Sequence, residues 1–154
     1  MSTFSDEHNH IMGTYAYPSR TFCLDISQAV FAHNDAVDLA AIRRYGAAEQ
    51  LFLKALELKI KTIGENGIST ALSRNALGKL YIDTDRLDDA EKHLELAVKI
   101  RNADNKGPTW DAAVARENLA MVYEMRGDLA AAKQMRKSTG RFACGNQVHP
   151  ILTP

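Results

Sequence analysis

The sequence is short of the residues that mark several protein classes. It has two cysteines, Cys23 and Cys144, too few and too far apart for a secreted disulfide framework. Both are expected to be free thiols in a reducing compartment. Lysine and arginine number 19, aspartate and glutamate 19, and the formal charge is zero. The basic surplus that phosphate contacts demand is missing, so no nucleic-acid partner is expected. No run approaches the roughly 18 apolar residues of a membrane-spanning helix, so no membrane role is expected. The first ten residues have neither a basic start nor an apolar stretch, so no secretory leader is expected. The expectation is a soluble, cytoplasmic protein.

Chemistry is sparse as well. There is no phosphate-cradling glycine-rich loop and no nucleophile elbow. His8-Asn-His10 alone is no nuclease signature. Cys144 and His149, with four residues between them, could join His8, His10 and Cys23 around zinc. No Cys-x-x-Cys pair supports that, and the donors come from opposite chain ends. A nucleophilic Cys144–His149 pair lacks a third, orienting group. The charge cluster Asp83, Asp85, Arg86, Asp88, Asp89, Glu91 and Lys92 reads as a turn and an acidic first helical turn that suits the helix dipole. A calcium loop would need a fixed ligand order around a central glycine. No metal, no cofactor and no enzymatic activity are expected.

What is present is a repeat. Ala71, Arg74, Leu77 and Tyr81 recur as Ala113, Arg116, Leu119 and Tyr123, and Leu87 and Ala90 as Leu129 and Ala132, always 42 residues on. The same step backwards places Tyr45, Ala48, Glu49, Phe52 and Ala55 under Leu87, Ala90, Glu91, Leu94 and Ala97. Ala29 and Leu39 fall under Ala71 and Tyr81. Periods of this length mark stacked helical repeats. Within each copy the apolar residues fall at helical spacing in two runs. The breaks lie at Asp83–Arg86 and at Arg126-Gly127-Asp128, where glycine suits a helix end and aspartate the next N-cap. The 154 residues therefore divide into an N-terminal arm (1–25), an all-α repeat domain (26–138) and an irregular tail (139–154). Gly140 is expected to end the last helix. Trp110, the only tryptophan, is expected to anchor packing between repeats.

Leu77-Gly78-x-x-Tyr81, followed by Ala90 and Ala97, resembles the core signature of tetratricopeptide repeats. Glu117-Asn118-Leu119-Ala120-x-x-Tyr123, then Gly127, is similar to the kinesin light chain subtype. The resemblance covers about Ala29 to Lys137. Asp85 stands where the family has a turn glycine, and Arg136 where it has an apolar residue. The resemblance implies a right-handed superhelical stack of about three antiparallel helix pairs. It also implies an inner groove lined by the first helix of each pair. By that analogy the groove residues are His33, Asn34 and Val37; Asn75, Lys79, Ile82 and Asp83; and Glu117, Asn118, Met121 and Glu124. Asparagine amides can both donate to and accept from a peptide backbone, and Met121 and Val37 offer adaptable apolar contact. A clamp for an acidic tail would need several cations on this face. Lys79 is squarely there, with Arg74 and Arg116 nearby, so a mixed or basic peptide of a partner protein fits better. The resemblance thus implies an adaptor or scaffold that captures a partner. The alternative is a homo-oligomer that buries the apolar edges of a short stack.

Overall fold

First helices end, and second helices begin, at the same 42-residue step in every copy, although the residues at those turns differ. A computed structural model describes residues 20–103 and 109–143, with side chains as far as Lys137. It contains α1 (Arg20–Ala41), α2 (Tyr45–Ile63), α3 (Ile68–Asp83), α4 (Leu87–Ala103), α5 (Trp110–Met125) and α6 (Leu129–Ala143). Among the described residues there is no strand. None of these helices is long and apolar enough to cross a membrane.

Each pair turns through one left-handed residue: Arg43 (φ 61°), Asp85 (φ 59°) and Gly127 (φ 83°). The next backbone N–H reaches back to close the turn. Arg44 N donates to Leu39 O, Arg86 N to Tyr81 O and Asp128 N to Tyr123 O, at 2.8–2.9 Å. These bonds satisfy carbonyls that a helix end otherwise leaves orphaned. Only the third copy uses glycine, the residue that tolerates positive φ without strain. The starts of the later helices are capped by side chains. Thr109 Oγ1 accepts from Ala112 N at 3.3 Å, and Asp128 Oδ1 from Ala131 N at 3.0 Å.

Helices pack in sequence order, α1 on α2, α3 on α4, α5 on α6, with α2–α3 and α4–α5 joining the pairs. Small residues set the approach. Ala36, Gly78 and Ala120 stand at one position of the first helices, and Phe52, Leu94 and Arg136 at one position of the second. A Cβ on Gly78 would lie 2.7 Å from Leu94 Cδ2. Ala48, Ala55, Ala90, Ala97 and Ala132 are buried in the same way. Leu56, Leu77, Tyr81, Val98, Leu119 and Val122 fill the space between repeats.

Two helix ends lie elsewhere than the periodicity suggests. α1 begins at Arg20, inside the stretch expected to be an arm. α6 runs through Gly140 to Ala143, because glycine weakens a helix interior without forbidding it. Trp110 is no packing anchor: it is 81% exposed at the first position of α5. His8, His10, Cys144 and His149 lie outside the described residues. Among the described residues no group of three or more His, Cys, Asp or Glu is placed to hold a metal ion.

Candidate functional site

The first helices α1, α3 and α5 carry the candidate groove. Equivalent positions on them form rungs, and the structure sorts the expected residues by rung. The first is His33, Asn75 and Glu117. His33 is half-buried; its ring meets Phe52 edge-on at 5.3 Å, and its Nδ1 lies 3.3 Å from Ser73 Oγ. Ser73 in turn accepts from Lys59 Nζ at 2.8 Å. Burial, then the nearby Lys59 charge, pushes the His33 pKa down to about 4. His33 thus works in the joint between repeats, as a neutral ring.

The second rung is Asn34, Ala76 and Asn118. Asn34 is exposed, whereas Asn118 is 9% exposed and its Nδ2 donates to Asn75 Oδ1 at 3.0 Å. The two asparagines are therefore brought together and bond each other. Asn75, half-buried, keeps both amide hydrogens, and Asn118 keeps its carbonyl oxygen.

The third rung is Val37, Lys79 and Met121. Val37 is exposed and Met121 half-buried. Exposed Lys79 is paired with Asp83 one turn on, so these two expected groove residues neutralise each other. Ile82 is a correction. It is 7% exposed and belongs to the core, because the following repeat packs over it. Its counterpart in the third copy, Glu124, is exposed.

Glu117 and Glu124 are joined by Arg136 of α6, whose guanidinium bonds Glu117 at 2.8–3.2 Å and also holds Glu124. The Arg136 contact keeps the Glu124 carboxyl below the usual carboxylate range. Arg74 and Arg116, read from the sequence as near the groove, are buried. Arg74 faces Glu65 at 3.7 Å, and Arg116 bonds Asn102. Lys79 is left as the groove's cation among the expected residues.

One rung was missed. Val30, Leu72 and Val114 recur at the 42-residue step; Val30 is 47% exposed, Leu72 38%, and Val114 is partly exposed. An apolar residue kept in all three copies yet not buried in any is the signal that could have found it. The sequence cannot separate that pattern from a core position until burial is known.

Stacked helix pairs with recurring small residues at the contacts, left-handed turns between partners and a row of first helices on one side define a helical-repeat interaction module. A sequence profile described as tetratricopeptide repeat matches residues 27–103. The chain belongs to the tetratricopeptide repeat family, whose repeats generally mediate protein–protein interaction. Among solved structures it is similar to the crystal structure of BtubC (BKLC) from P. vanneervenii, with TM-score 0.72 and 27% identity. The match covers 82% of this chain and 52% of that one, so the chain spans about half the length of that relative. No curated protein matches it.

Proposed function

We propose that the face formed by α1, α3 and α5 captures a segment of a partner protein, and that the chain acts as an adaptor or scaffold. The observation that carries this reading is the row Val30, Leu72 and Val114, supplemented by Val37 and Met121. It is an apolar strip kept in register across three helices and left facing outward. Aligned exposed apolar side chains mark interaction surfaces more than scattered ones do. Asn75 and Asn118 stand beside the strip as a preformed pair, with a donor and an acceptor to spare for a peptide backbone. The acidic groups are offset by Lys79 and Arg136, which favours a partner of mixed or modestly basic charge over an acidic tail. The signature residues and the similarity to BtubC (BKLC) support the kinesin light chain-like subtype, and a cytoplasmic location goes with this reading.

The test is affinity capture from the native source with the wild-type chain and a Val30→Glu, Leu72→Glu variant, each confirmed as helical by circular dichroism. Loss of the captured partner supports the groove. Equal recovery by both chains rejects it.

A second reading is self-association, and Phe31 favours it. Its counterparts Ser73 and Ala115 are buried against the preceding repeat, while Phe31 is 68% exposed. Two chains that cover this edge would sediment as a dimer, and a Phe31→Ser variant would sediment as a monomer. A wild-type chain that stays monomeric at high concentration excludes the idea.

A further inference from the structure

The repeat allows one part of the molecule to be compared with another. In the second copy the Tyr81 hydroxyl donates to Glu49 Oε1 at 2.9 Å. The Arg86 guanidinium lies over the Tyr81 ring, 4.3 Å from its centroid, and donates to Glu49 at 2.8 Å and to Asp89 at 2.6–2.9 Å. Tyr81 is thereby covered and counts among the buried core. Its ring also meets His93 at 5.6 Å.

Forty-two residues on, the tyrosine remains but the arginine over it does not. Tyr123 takes the place of Tyr81. Arg86 is replaced by Asp128, which turns to cap α6 through Ala131 N. Asp89, Lys92 and His93 are replaced by Ala131, Gln134 and Met135. Among the described residues, Tyr123, Ala131, Gln134 and Met135 line a cavity of about 330 Å³ here. Burial, then the charges of nearby Glu95, Glu91 and Asp128, push the Tyr123 hydroxyl pKa up. The nearby cation, Arg126, is engaged with Asp88 and, at 3.0 Å, with Glu91.

We propose that this cavity binds an arginine side chain of a partner protein, its guanidinium lying over the Tyr123 ring as Arg86 lies over Tyr81. A guanidinium is planar and weakly hydrated, so it stacks on an aromatic face more readily than an ammonium does. Ala131 and Met135 suit its aliphatic stem, and the surrounding carboxylates suit its charge. The site is separate from the groove on α1, α3 and α5, and stands whether or not that groove captures a peptide.

The test is a nuclear magnetic resonance titration of the full chain with the blocked tripeptide Gly-Arg-Gly. The lysine and norleucine analogues serve as comparisons, and Tyr123→Leu and Asp128→Arg as variants. The arginine peptide should give saturable shifts at Tyr123, Ala131, Gln134 and Met135. The lysine peptide should bind several-fold more weakly, and the norleucine peptide should give no such shifts. Tyr123→Leu removes the ring and should weaken binding about tenfold or more. Asp128→Arg, at an exposed turn, supplies the chain's own guanidinium and should block the site even if Tyr123→Leu folds poorly. An unsaturable arginine response, equal responses to all three peptides, or binding that survives Asp128→Arg would overturn the proposal.

Discussion

Asn118 of α5 donates its amide hydrogen to Asn75 Oδ1 of α3 at 3.0 Å, across the joint between the second and third repeats. The corresponding joint between the first and second repeats is built differently. There Ala76 stands in place of Asn118 and His33 in place of Asn75, and His33 reaches Ser73 instead. One backbone geometry therefore carries two kinds of polar joint.

Breaking the asparagine pair should have a modest effect on folding. Asn118→Ala removes one neutral hydrogen bond, and half-buried Asn75 can turn to water. The expected loss is about 0.5–1.5 kcal/mol in urea unfolding. A loss above about 3 kcal/mol would mean that Asn118 supports more of the core than this bond.

Gly78→Ala pits two effects against each other. Alanine favours the helix by about 1 kcal/mol. The added Cβ meets the branched end of Leu94, 2.7 Å from Cδ2, in a core where overpacking costs about 1–3 kcal/mol. The clash should win, and the variant should melt below wild type. Leu94→Ala should remove most of the extra effect, so the double variant should be more stable than the sum of the two single changes predicts. Strict additivity would sink the assignment.

At Arg43 a non-glycine residue holds φ at 61° on an exposed turn. Arg43→Gly relieves this strain but gives the unfolded chain more freedom. The left-handed penalty of about 1–2 kcal/mol outweighs that freedom, so stability should rise by about 0.5–1 kcal/mol. Gly127→Ala at the equivalent turn should lower it. Thermal melts of the two variants should move in opposite directions.

The Lys59–Ser73–His33 joint should make stability pH-dependent. Burial holds His33 down at about 4 instead of its usual 6.5, so below 6.5 the unfolded chain binds the proton more readily. The His33 contribution is present above pH 6.5 and is lost as pH falls toward 4. Other groups titrate in that range, so the readout is the difference between wild type and His33→Gln, which should have the shallower acid limb. Lys59 is 3% exposed, with a serine hydroxyl as its partner, and burial lowers its pKa. Lys59→Met keeps the bulk and removes a buried charge, so it should raise the melting temperature at neutral pH. A fall would show that the ammonium is better compensated than its single bond to Ser73 suggests.

Arg136 holds Glu124 ionised. In Arg136→Ala the Glu124 carboxyl pKa, followed by carbon-detected resonance, should move upward toward the ordinary carboxylate value. No movement would show that the two groups do not meet in solution.

The repeat was legible because the positions that bury helix against helix must recur whenever the geometry does. Ala48, Ala90 and Ala132, or Leu77 and Leu119, could not drift without opening the stack. Terminal boundaries were less legible. Arg20–Ile26 and the stretch beyond Lys137 carry weak periodic signals, and their helices are set by propagation from the packed turns beside them. The exposure of the groove candidates was legible only in part. Lys79, Asp83, Val37 and Asn34 are exposed or partly exposed as expected, but Ile82, Arg74 and Arg116 are buried. Helical spacing gives direction around one axis, not what lies opposite. Trp110 shows the reverse: its place at the start of a helix suggested an anchor between repeats, and it is exposed.

By itself the sequence determined the period, the pairing of helices and the small residues at their contacts, because those depend on local spacing and on volumes that must match copy to copy. Only the tertiary structure decided which polar side chains meet: Asn75 with Asn118, Arg136 with Glu117 and Glu124, and a tyrosine covered by arginine in one copy and not in the next. Such partners come from different helices, far apart along the chain. Their meeting depends on the angles at which the pairs stack, which no single helix encodes.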